Sequence, residues 1–271
     1  MAINLASKYS SVVDERFARE SLSNYGFNTD YEWVGVDTVN VYSIDTVEMN
    51  DYVRSGANRY GTPEELEDSL QTLTLSQDRA FTFTIDKGND QEQLNIKGAG
   101  EALARQLRER TIPEIDIYRF ATIAANAGHL DDVAITPSNA YSKFLEAQQA
   151  LTDALVPEGG RIASVSSTYY RLLQLSGFIT DSDAGQALRI IGAVGKVDNV
   201  PIVRVPTQYL PEGANFLLWH PRAACAPVTI AEFKIHVDPP GLNGNLCEGR
   251  VRHDAFVLES KAASIFYSYE D

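Results

Sequence analysis

The sequence has 271 residues, of which 44% are hydrophobic and 22% are charged, and its formal net charge is −14. This length can bury the core of one large domain or two small ones. The acidic excess argues against nucleic-acid grip and against docking on an anionic membrane, because both need clustered Lys and Arg. No apolar run approaches the roughly 18–20 residues that span a bilayer, and no secretory signal opens the chain. Two cysteines, Cys225 and Cys247, make no disulfide framework and favour a reduced cytosolic origin as buried free thiols, although they could pair on neighbouring strands.

Residues 1–30 predict an N-terminal arm. A short helix over 11–23 would place Val13 and Phe17 on one face, and that face is too narrow to hold a helix alone. The arm therefore needs a surface to lie on, which could belong to its own body or to a neighbouring molecule.

Residues 31–86 predict an extended β-ribbon. Aromatic and β-branched residues fill 31–46, and apolar residues alternate with polar ones over 70–85, so we expect two long antiparallel strands. The polar connection 47–69 exceeds the roughly 15 residues above which a loop usually has a function. Because a two-stranded ribbon is marginal alone in water, we expect other chains to support it.

Charged residues crowd the tip of this ribbon. The acidic ones could bind a divalent ion, could simply be solvated, or could pair with basic residues of a neighbouring subunit. Surface pairs are weak, at about 0–1 kcal/mol each, but repeated around an assembly they would set its register. The candidate contact residues are Arg54, Arg59, Glu64, Glu65, Glu67 and Asp68, together with Val13 and Phe17 of the arm.

The stretch 98–128 predicts the longest helix, which would span roughly 45 Å if continuous. Oppositely charged residues four apart and an apolar stripe both support it. Pro113 is expected to push Ile112 away from helical angles, giving a kink or two abutting helices, and Gly128 is expected to end the run. A long helix between two unlike halves indicates a structural frame rather than a catalytic pocket.

Helices and strands alternate in the remaining sequence. We expect a loop over 129–136, with Thr136 capping a helix that runs to Pro157, and the following strand and short helix indicate a layered α/β unit. Asp198 and Asn199 suit the turn of a β-hairpin. The expected later elements are a strand at 161–166, a helix at 168–176, a hairpin at 190–206, strands at 216–219 and 231–237, and closing strands after 249.

No pattern in the sequence predicts catalysis or a cofactor. His236 with Asp238, and His253 with Asp254, could hold a metal ion if they met on adjacent strands, but neither pair has a recognised ligand spacing. Polar residues at strand ends are the simpler interpretation, and His129 is expected in a solvated loop. We therefore predict no catalytic, metal-binding or cofactor-binding residue.

The order of these parts resembles the major capsid proteins of tailed bacteriophages, of the Hong Kong type. The segments that carry the resemblance are RTIPEIDIYRF, GRIASVSSTYYRLL, GAVGKVDNVPIVRVPTQYLP and HDAFVLESKAASI. It implies an α+β phage major capsid fold in five parts. These are an N-terminal arm (1–30), an extended β-ribbon loop (31–86), a peripheral domain with a spine helix (87–136), a layered α/β axial domain (137–209), and returning strands of the axial and peripheral domains (210–271).

The same resemblance implies a function. The chain would self-assemble into hexamers and pentamers of an icosahedral shell that encloses the phage genome, in the virion, after synthesis in the host bacterial cytoplasm. Its partners would be many copies of itself, a portal, a decoration protein, double-stranded DNA held without sequence-specific contacts, and no membrane. Because the arm begins almost at Met1, the scaffolding protein is expected to be separate.

Two alternatives stay open at this point. A cellular nanocompartment shell shares the same fold and would enclose an enzyme instead of DNA. A β-rich carbohydrate-binding protein would use Trp33, Trp219 and the many tyrosines to stack on sugars.

Overall fold

A computed structural model describes residues 21–28, 31, 33, 38–44, 46–56, 58–62, 65, 68–87, 98–176 and 193–270. Within these ranges the fold is α+β, as predicted. The predicted arm helix with Val13 and Phe17 lies almost entirely outside the described residues. The helices are α1 (Ala99–Gln106), α2 (Ile112–Ala125), α3 (Ala140–Asp153) and α4 (Ser167–Leu175), and a π-helical turn (Leu107–Thr111) joins α1 to α2.

The described strands form four separate sheets. Their orders are β1-β2, β10-β11-β3, β12-β9 and β4-β13-β8-β5-β7-β6. The strands are β1 (Thr38–Ile44), β2 (Asp68–Thr74), β3 (Gln77–Asp86), β4 (His129–Asp132), β5 (Ile162–Ser166), β6 (Ala193–Val197), β7 (Val200–Val205), β8 (Ala214–Trp219), β9 (Ala224–Cys225), β10 (Val228–Val237), β11 (Gly244–His253), β12 (Phe256–Val257) and β13 (Ile265–Tyr269).

The six-stranded sheet is the centre of the larger half of the molecule. One face packs on α3 and α4 through fully buried side chains such as Phe144, Tyr169 and Phe216. The other face packs on α2, where the Phe120 ring meets Trp219 edge-on at 6.5 Å. Each buried aromatic of this kind contributes roughly 1.5–3 kcal/mol of burial free energy. The layered α/β unit is therefore confirmed, with helices on both faces.

The smaller half is the three-stranded sheet packed on α1 and the start of α2. Leu103 and Ile115 lie against Phe233 in one cluster. Gly249 stands in register with Phe81 and with Phe233, and a Cβ at this glycine would come within 2.4 Å of the Phe81 ring. The missing side chain lets the two rings stack over the strand. The long helix does lie between two unlike halves, but they are not the predicted ones, because β10 and β11 of the smaller half follow the helix in sequence.

A π turn joins the two parts of the long helix without a break. The N–H of Ile112 donates to the carbonyl of Leu107, five residues earlier, and Ile112 keeps helical angles (φ −63°, ψ −49°). The expectation that Pro113 displaces Ile112 was wrong, because the wider turn gives the proline ring room that a tighter α-turn lacks. The final α-helical residue is Ala125, and the N–H of Gly128 then donates to the carbonyl of Ala262 at 3.0 Å.

The ribbon is shorter than predicted. β1 pairs antiparallel with β2 from Thr38 opposite Thr74 to Ile44 opposite Asp68. The expectation of one strand over 70–85 was wrong: the chain leaves the ribbon after Thr74, and β3 pairs with β11 in another sheet. Alternation alone could not show this change of partner.

Two local expectations on the way into the larger half held only in part. Residues 129–136 are not all loop, because β4 pairs parallel with β13, and His129 therefore lies opposite Phe266 in a strand. The regular helix α3 begins after Asn139, one turn later than predicted, but Thr136 still bonds into its start. The Thr136 carbonyl accepts a hydrogen bond from the Ala140 N–H at 3.0 Å, and the Thr136 N–H donates to the Asn139 side chain at 2.7 Å. The hairpin of β6 and β7 is confirmed, with Asp198 (φ 49°) and Asn199 (φ 63°) in the left-handed angles of its turn.

Candidate functional site

The ribbon carries large apolar side chains on its surface. Met49 is 100% exposed and Tyr60 85% exposed. Tyr42 stands opposite Leu70 in the ribbon, and the rings of Tyr52 and Tyr60 are in contact, so exposed apolar side chains lie side by side here, as they do at binding surfaces. The exposed apolar residues of the ribbon are Tyr42, Val47, Met49, Tyr52, Val53, Tyr60 and Leu70.

The described part of the tip, residues 46–56 and 58–62, is held by hydrogen bonds and a ring contact of its own. The N–H of Val53 donates to the carbonyl of Arg59 at 3.0 Å, and the rings of Tyr52 and Tyr60 meet edge-on at 5.0 Å. The N–H of Gly61 donates to the carbonyl of Asn58, also at 3.0 Å. The tip is therefore partly organised before any partner covers it, which lowers the entropy lost on binding.

Four of the six predicted charged contacts lie within the described residues, two on this tip and two between the tip and the start of β2. Arg54, Arg59, Glu65 and Asp68 are exposed, and the Arg59 side chain donates to the carbonyl of Gly56 at 3.3 Å. The other two, Glu64 and Glu67, lie outside the described residues. That these charges contact a neighbouring subunit stays a prediction.

The base of the ribbon is fastened to the body by apolar packing. Leu73 and Leu75 pack with Trp33 and Leu258, and the Trp33 ring stacks on Phe256 at 5.5 Å. The base of the ribbon is therefore held by the body, and its tip is exposed to solvent.

Asp254 joins the ribbon's end to the long helix. Its carboxylate accepts hydrogen bonds from the Ser76 N–H at 2.6 Å, the Tyr118 hydroxyl at 2.7 Å and the Ala255 N–H at 2.8 Å. Ser76 lies between β2 and β3, where the chain changes sheets, so Asp254 helps to fix the point from which the ribbon departs. The hydrogen bond and the negative charge of Asp254 add to burial in raising the pKa of Tyr118.

His253 is buried beside this carboxylate. Burial lowers its pKa to about 4, with the positive charge of Arg119 adding to the effect and Asp254 and Glu114 opposing it. Its ring meets Tyr118 edge-on at 5.6 Å, and its Nδ1 atom has no hydrogen-bond partner among the described residues. A buried neutral imidazole of this kind packs as part of the core.

The segment 21–28, which follows the arm, is anchored by a buried carboxylate. Asp116 of α2 is 1% exposed and accepts hydrogen bonds from the Ser21 hydroxyl at 2.6 Å and the Leu22 N–H at 2.8 Å. The Ser23 hydroxyl donates to the same carboxylate. Three donors from three successive residues fix the path of the chain at this point.

Arg119, one helical turn further along α2, completes the anchor. Its guanidinium donates to Ser23 Oγ at 3.0 Å and to Asn24 Oδ1 at 2.6 Å, and lies 5.5 Å from the centre of the Phe27 ring. Burial lowers the pKa of Arg119 to about 10, and the negative charge of Asp116 opposes this shift. Because both charges are buried, they depend on the polar groups of the 21–28 segment, and both bond to the Ser23 hydroxyl.

Sequence reasoning missed Asp116 and Arg119, and also Arg161, which is 2% exposed. The sequence does contain a pattern that could have identified two of them. Asp116 and Arg119 lie at helical spacing among residues of an apolar stripe, where charged side chains exposed to solvent are not expected. Only the segment that folds over them shows what they hold.

The histidine pairs considered as metal ligands do not assemble. His236 lies 3.2 Å from Glu248, whereas Asp238 pairs with Lys87 at 2.6 Å. Across the described ranges, which omit 88–97 and 177–192 among others, no group of three or more His, Cys, Asp or Glu could hold a metal ion.

The cysteines are both free and buried. Burial raises the pKa of both thiols, that of Cys225 to about 12. The prediction of buried free thiols is therefore confirmed, and neither sulfur is activated as a nucleophile.

The tryptophans proposed for sugar stacking are buried. Trp219 is fully buried and donates its indole N–H to the carbonyl of Gly26 at 2.7 Å, and Trp33 is 8% exposed. An indole face must be open to stack on a sugar, so neither residue serves a carbohydrate site in this conformation.

Solved structures share this fold across nearly the whole chain. One from Mycobacterium phage Che8 has a TM-score of 0.70 at 18% identity, covering 93% of this chain and 90% of its own. The capsid structure of cyanophage P-SCSP1u has a TM-score of 0.68 at 13% identity, covering 88% and 84%. A virus-like particle from Pyrococcus furiosus has a TM-score of 0.62 at 10% identity, covering 98% and 100%. The predicted fold, that of the tailed-phage capsid structures, is therefore confirmed.

No family model matches the sequence, and no curated protein matches it significantly. None of the helices in the described part of the chain is both long and apolar enough to cross a membrane. The likeness rests on structure, at sequence identities too low to assign activity residue by residue.

Proposed function

We propose that this chain is the major capsid protein of a tailed bacteriophage, which assembles in hexamers and pentamers into an icosahedral shell around the phage genome. One observation carries the proposal: a capsid fold covers 93% of the chain, and its ribbon exposes apolar side chains that its own body does not cover. Its role would be structural rather than catalytic.

Sister copies of the chain are the natural cover for the ribbon. Contacts between two different patches of identical subunits generate closed rings, and standard interfaces of roughly 1,600 Å² repeated around a shell make it stable. Val13 and Phe17 of the arm would add apolar contacts to neighbouring subunits. The charged tip residues Arg54, Arg59, Glu64, Glu65, Glu67 and Asp68 would set the register of these contacts.

The remaining partners follow from the same role. The genome would be double-stranded DNA held without sequence-specific contacts, and the net charge of −14 would keep the inner wall from clinging to it. A separate scaffolding protein, a portal and a decoration protein would complete the particle. Synthesis in the bacterial cytoplasm suits the two free thiols.

The division into parts is proposed on the same basis. Residues 1–30 would be the arm, 31–86 the extended loop, 87–136 the peripheral domain with the spine helix, and 137–209 the axial domain. Residues 210–271 would supply strands to both domains.

A nanocompartment shell is the second candidate. The virus-like particle from Pyrococcus furiosus matches the chain over 98% of its length, so size does not separate the two roles. The cargo would separate them, because a phage capsid encloses DNA and a nanocompartment encloses protein.

Electron microscopy of the purified protein tests the proposal. Closed shells, rings or tubes are expected, and nuclease-protected DNA in particles from infected cells would favour the phage role over the nanocompartment.

Met49→Asp should prevent assembly without lowering the Tm of the free subunit, because the side chain is 100% exposed. Glu48→Gln, at the neighbouring exposed position, is the matched control. A protein that stays monomeric at high concentration would contradict the proposal.

A further inference from the structure

Leu155 combines high exposure with an unfavourable backbone conformation. It is 91% exposed, and of the large apolar side chains in the described ranges only Met49 is more exposed. Its φ of +59° lies in the left-handed region, where a Cβ is disfavoured and glycine is the usual residue. Exposure to solvent would favour a polar side chain at this position, and the positive φ would favour glycine. Leucine satisfies neither preference.

The position belongs to a regular helix ending. The N–H of Leu155 donates to the carbonyl of Thr152 at 2.9 Å, and the N–H of Val156 donates to the carbonyl of Leu151 at 3.0 Å. This pair of bonds is the Schellman motif that closes α3, and Leu155 occupies the site in it that glycine usually fills. The fold therefore supplies no reason for the leucine.

Arg161 holds this loop rigid from beneath. The buried guanidinium donates to the carbonyls of Pro157 at 3.0 Å and Val156 at 2.6 Å. It also donates to Gln148 Oε1 at 2.9 Å and to Thr152 Oγ1 at 3.1 Å. These hydrogen bonds fix the backbone of the loop that carries Leu155. A contact made by a pre-organised loop loses little conformational entropy on binding.

The surface beside Leu155 is acidic, and a complementary surface lies on α4. Asp153, Glu158 and Asp198 line one depression next to the loop, where they outnumber the single buried cation, Arg161. On α4, Arg171 and Leu175 are exposed and share a helix face because they are four residues apart. An exposed leucine beside acidic side chains thus matches a second exposed leucine beside a cation on α4.

The topology brings both surfaces to the same end of the larger half. The chain reverses over 154–161 between α3 and β5, and again between Ser166 and Ser167, so α3 and α4 end at the same sheet edge. The hairpin turn at 198–199 lies there too, because β7 runs parallel to β5.

We propose that Leu155 is an assembly contact, whose side chain packs on the Arg171–Leu175 face of α4 in a second copy of this chain. The inference rests on the proposed shell function and names one contact within it. Because the two surfaces differ, the contact is head-to-tail and propagates around a ring. The leucine is retained for this contact at the expense of subunit stability, as strained residues at functional sites commonly are.

Leu155→Gly separates the two effects. The glycine relieves the left-handed conformation, so the Tm of the unassembled subunit should rise by roughly 2–4 °C. It also removes the leucine side chain, so the critical concentration for assembly should rise about tenfold or more, as expected for the loss of one buried leucine. Leu155→Met, which keeps an apolar side chain, should assemble close to the wild-type concentration. Assembly of the glycine variant at the wild-type concentration would overturn the inference and leave the shell function standing.

A charge exchange tests the second surface. Glu158→Arg and Arg171→Glu should each raise the critical concentration, and the double variant should restore it towards the wild-type value. Failure of the double variant to assemble better than either single variant would overturn the assignment of α4 as the receiving face. If the wild-type protein forms no shell at all, the proposed function itself fails, which distinguishes the two results.

Discussion

Replacing Asp116 with alanine should release the segment that follows the arm. The substitution removes the acceptor of three hydrogen bonds, from Ser21, Leu22 and Ser23, and leaves the buried guanidinium of Arg119 without its nearby negative charge. Hydrogen bonds to a charged group contribute roughly 1.5–3 kcal/mol each, and the contributions of several bonds to one carboxylate are not additive. We therefore expect a loss of about 3–5 kcal/mol in the free energy of unfolding.

Urea unfolding of the unassembled subunit measures this loss. Glu114→Ala is the matched control on the same helix, because the Glu114 side chain is 53% exposed and pairs with Arg79 at the surface. Exposed pairs contribute about 0–1 kcal/mol, so this control should change stability little. Combining Asp116→Ala with Arg119→Met should cost less than the sum of the two single changes, since each group is buried partly for the other.

A second readout links the anchor to assembly. If 21–28 sets the direction in which the arm leaves the body, Asp116→Ala should also speed proteolysis of the segment before 21. A loss below about 1 kcal/mol, with unchanged proteolysis, would refute the reasoning that this buried carboxylate anchors the chain.

Two further predictions concern pH and close packing. The pKa of His253 is about 4 in the folded chain against an ordinary 6.5, so between these values the unfolded chain binds a proton that the folded chain does not. Wild-type stability should therefore fall by up to about 3 kcal/mol as pH drops from 6.5 to 4, and His253→Gln should flatten this part of the profile in urea titrations; equal slopes would contradict the assignment. Gly128→Ala should destabilise by about 1–3 kcal/mol in calorimetry, because its Cβ would lie 2.6 Å from the carbonyl oxygen of Ala262. Gly159→Ala, which meets no atom within 4 Å, should be near neutral, and similar losses for both would argue against the clash.

Local signals in the sequence predicted much of the fold. The turn pair at Asp198 and Asn199 identified the hairpin, and helical spacing identified the long helix and α3, because these features depend on neighbours within a few residues. These features can be recognised without knowing which distant residues they contact.

Features set by distant contacts escaped prediction. The break after Thr74 depends on β11 and on Asp254, some 180 residues later, and nothing in the alternation of 70–85 marks it. The strand at His129 exists because β13 lies beside it. The helical angles of Ile112 depend on a π turn that relieves Pro113, which a simple proline rule does not foresee.

The candidate contact residues also fall into two groups, those that the sequence predicted and those that only the structure shows. The ribbon tip was predicted as an exposed polar connection, and its charged residues are exposed where described. The apolar residues of the tip, such as Met49 and Tyr60, were not predicted as contacts. Each stands among polar residues in the sequence, so no helical or strand periodicity marks it. The anchor at Asp116 and the exposed side chain of Leu155 became visible only from burial and backbone angles.

A cryo-electron microscopy reconstruction of particles formed by the purified protein tests the shell assignment most directly. The assignment predicts that Met49 and Tyr60, exposed in the single subunit, are covered in the particle by a neighbouring copy. Particles in which both side chains stay in solvent, or a protein that forms no particle at all, would contradict it.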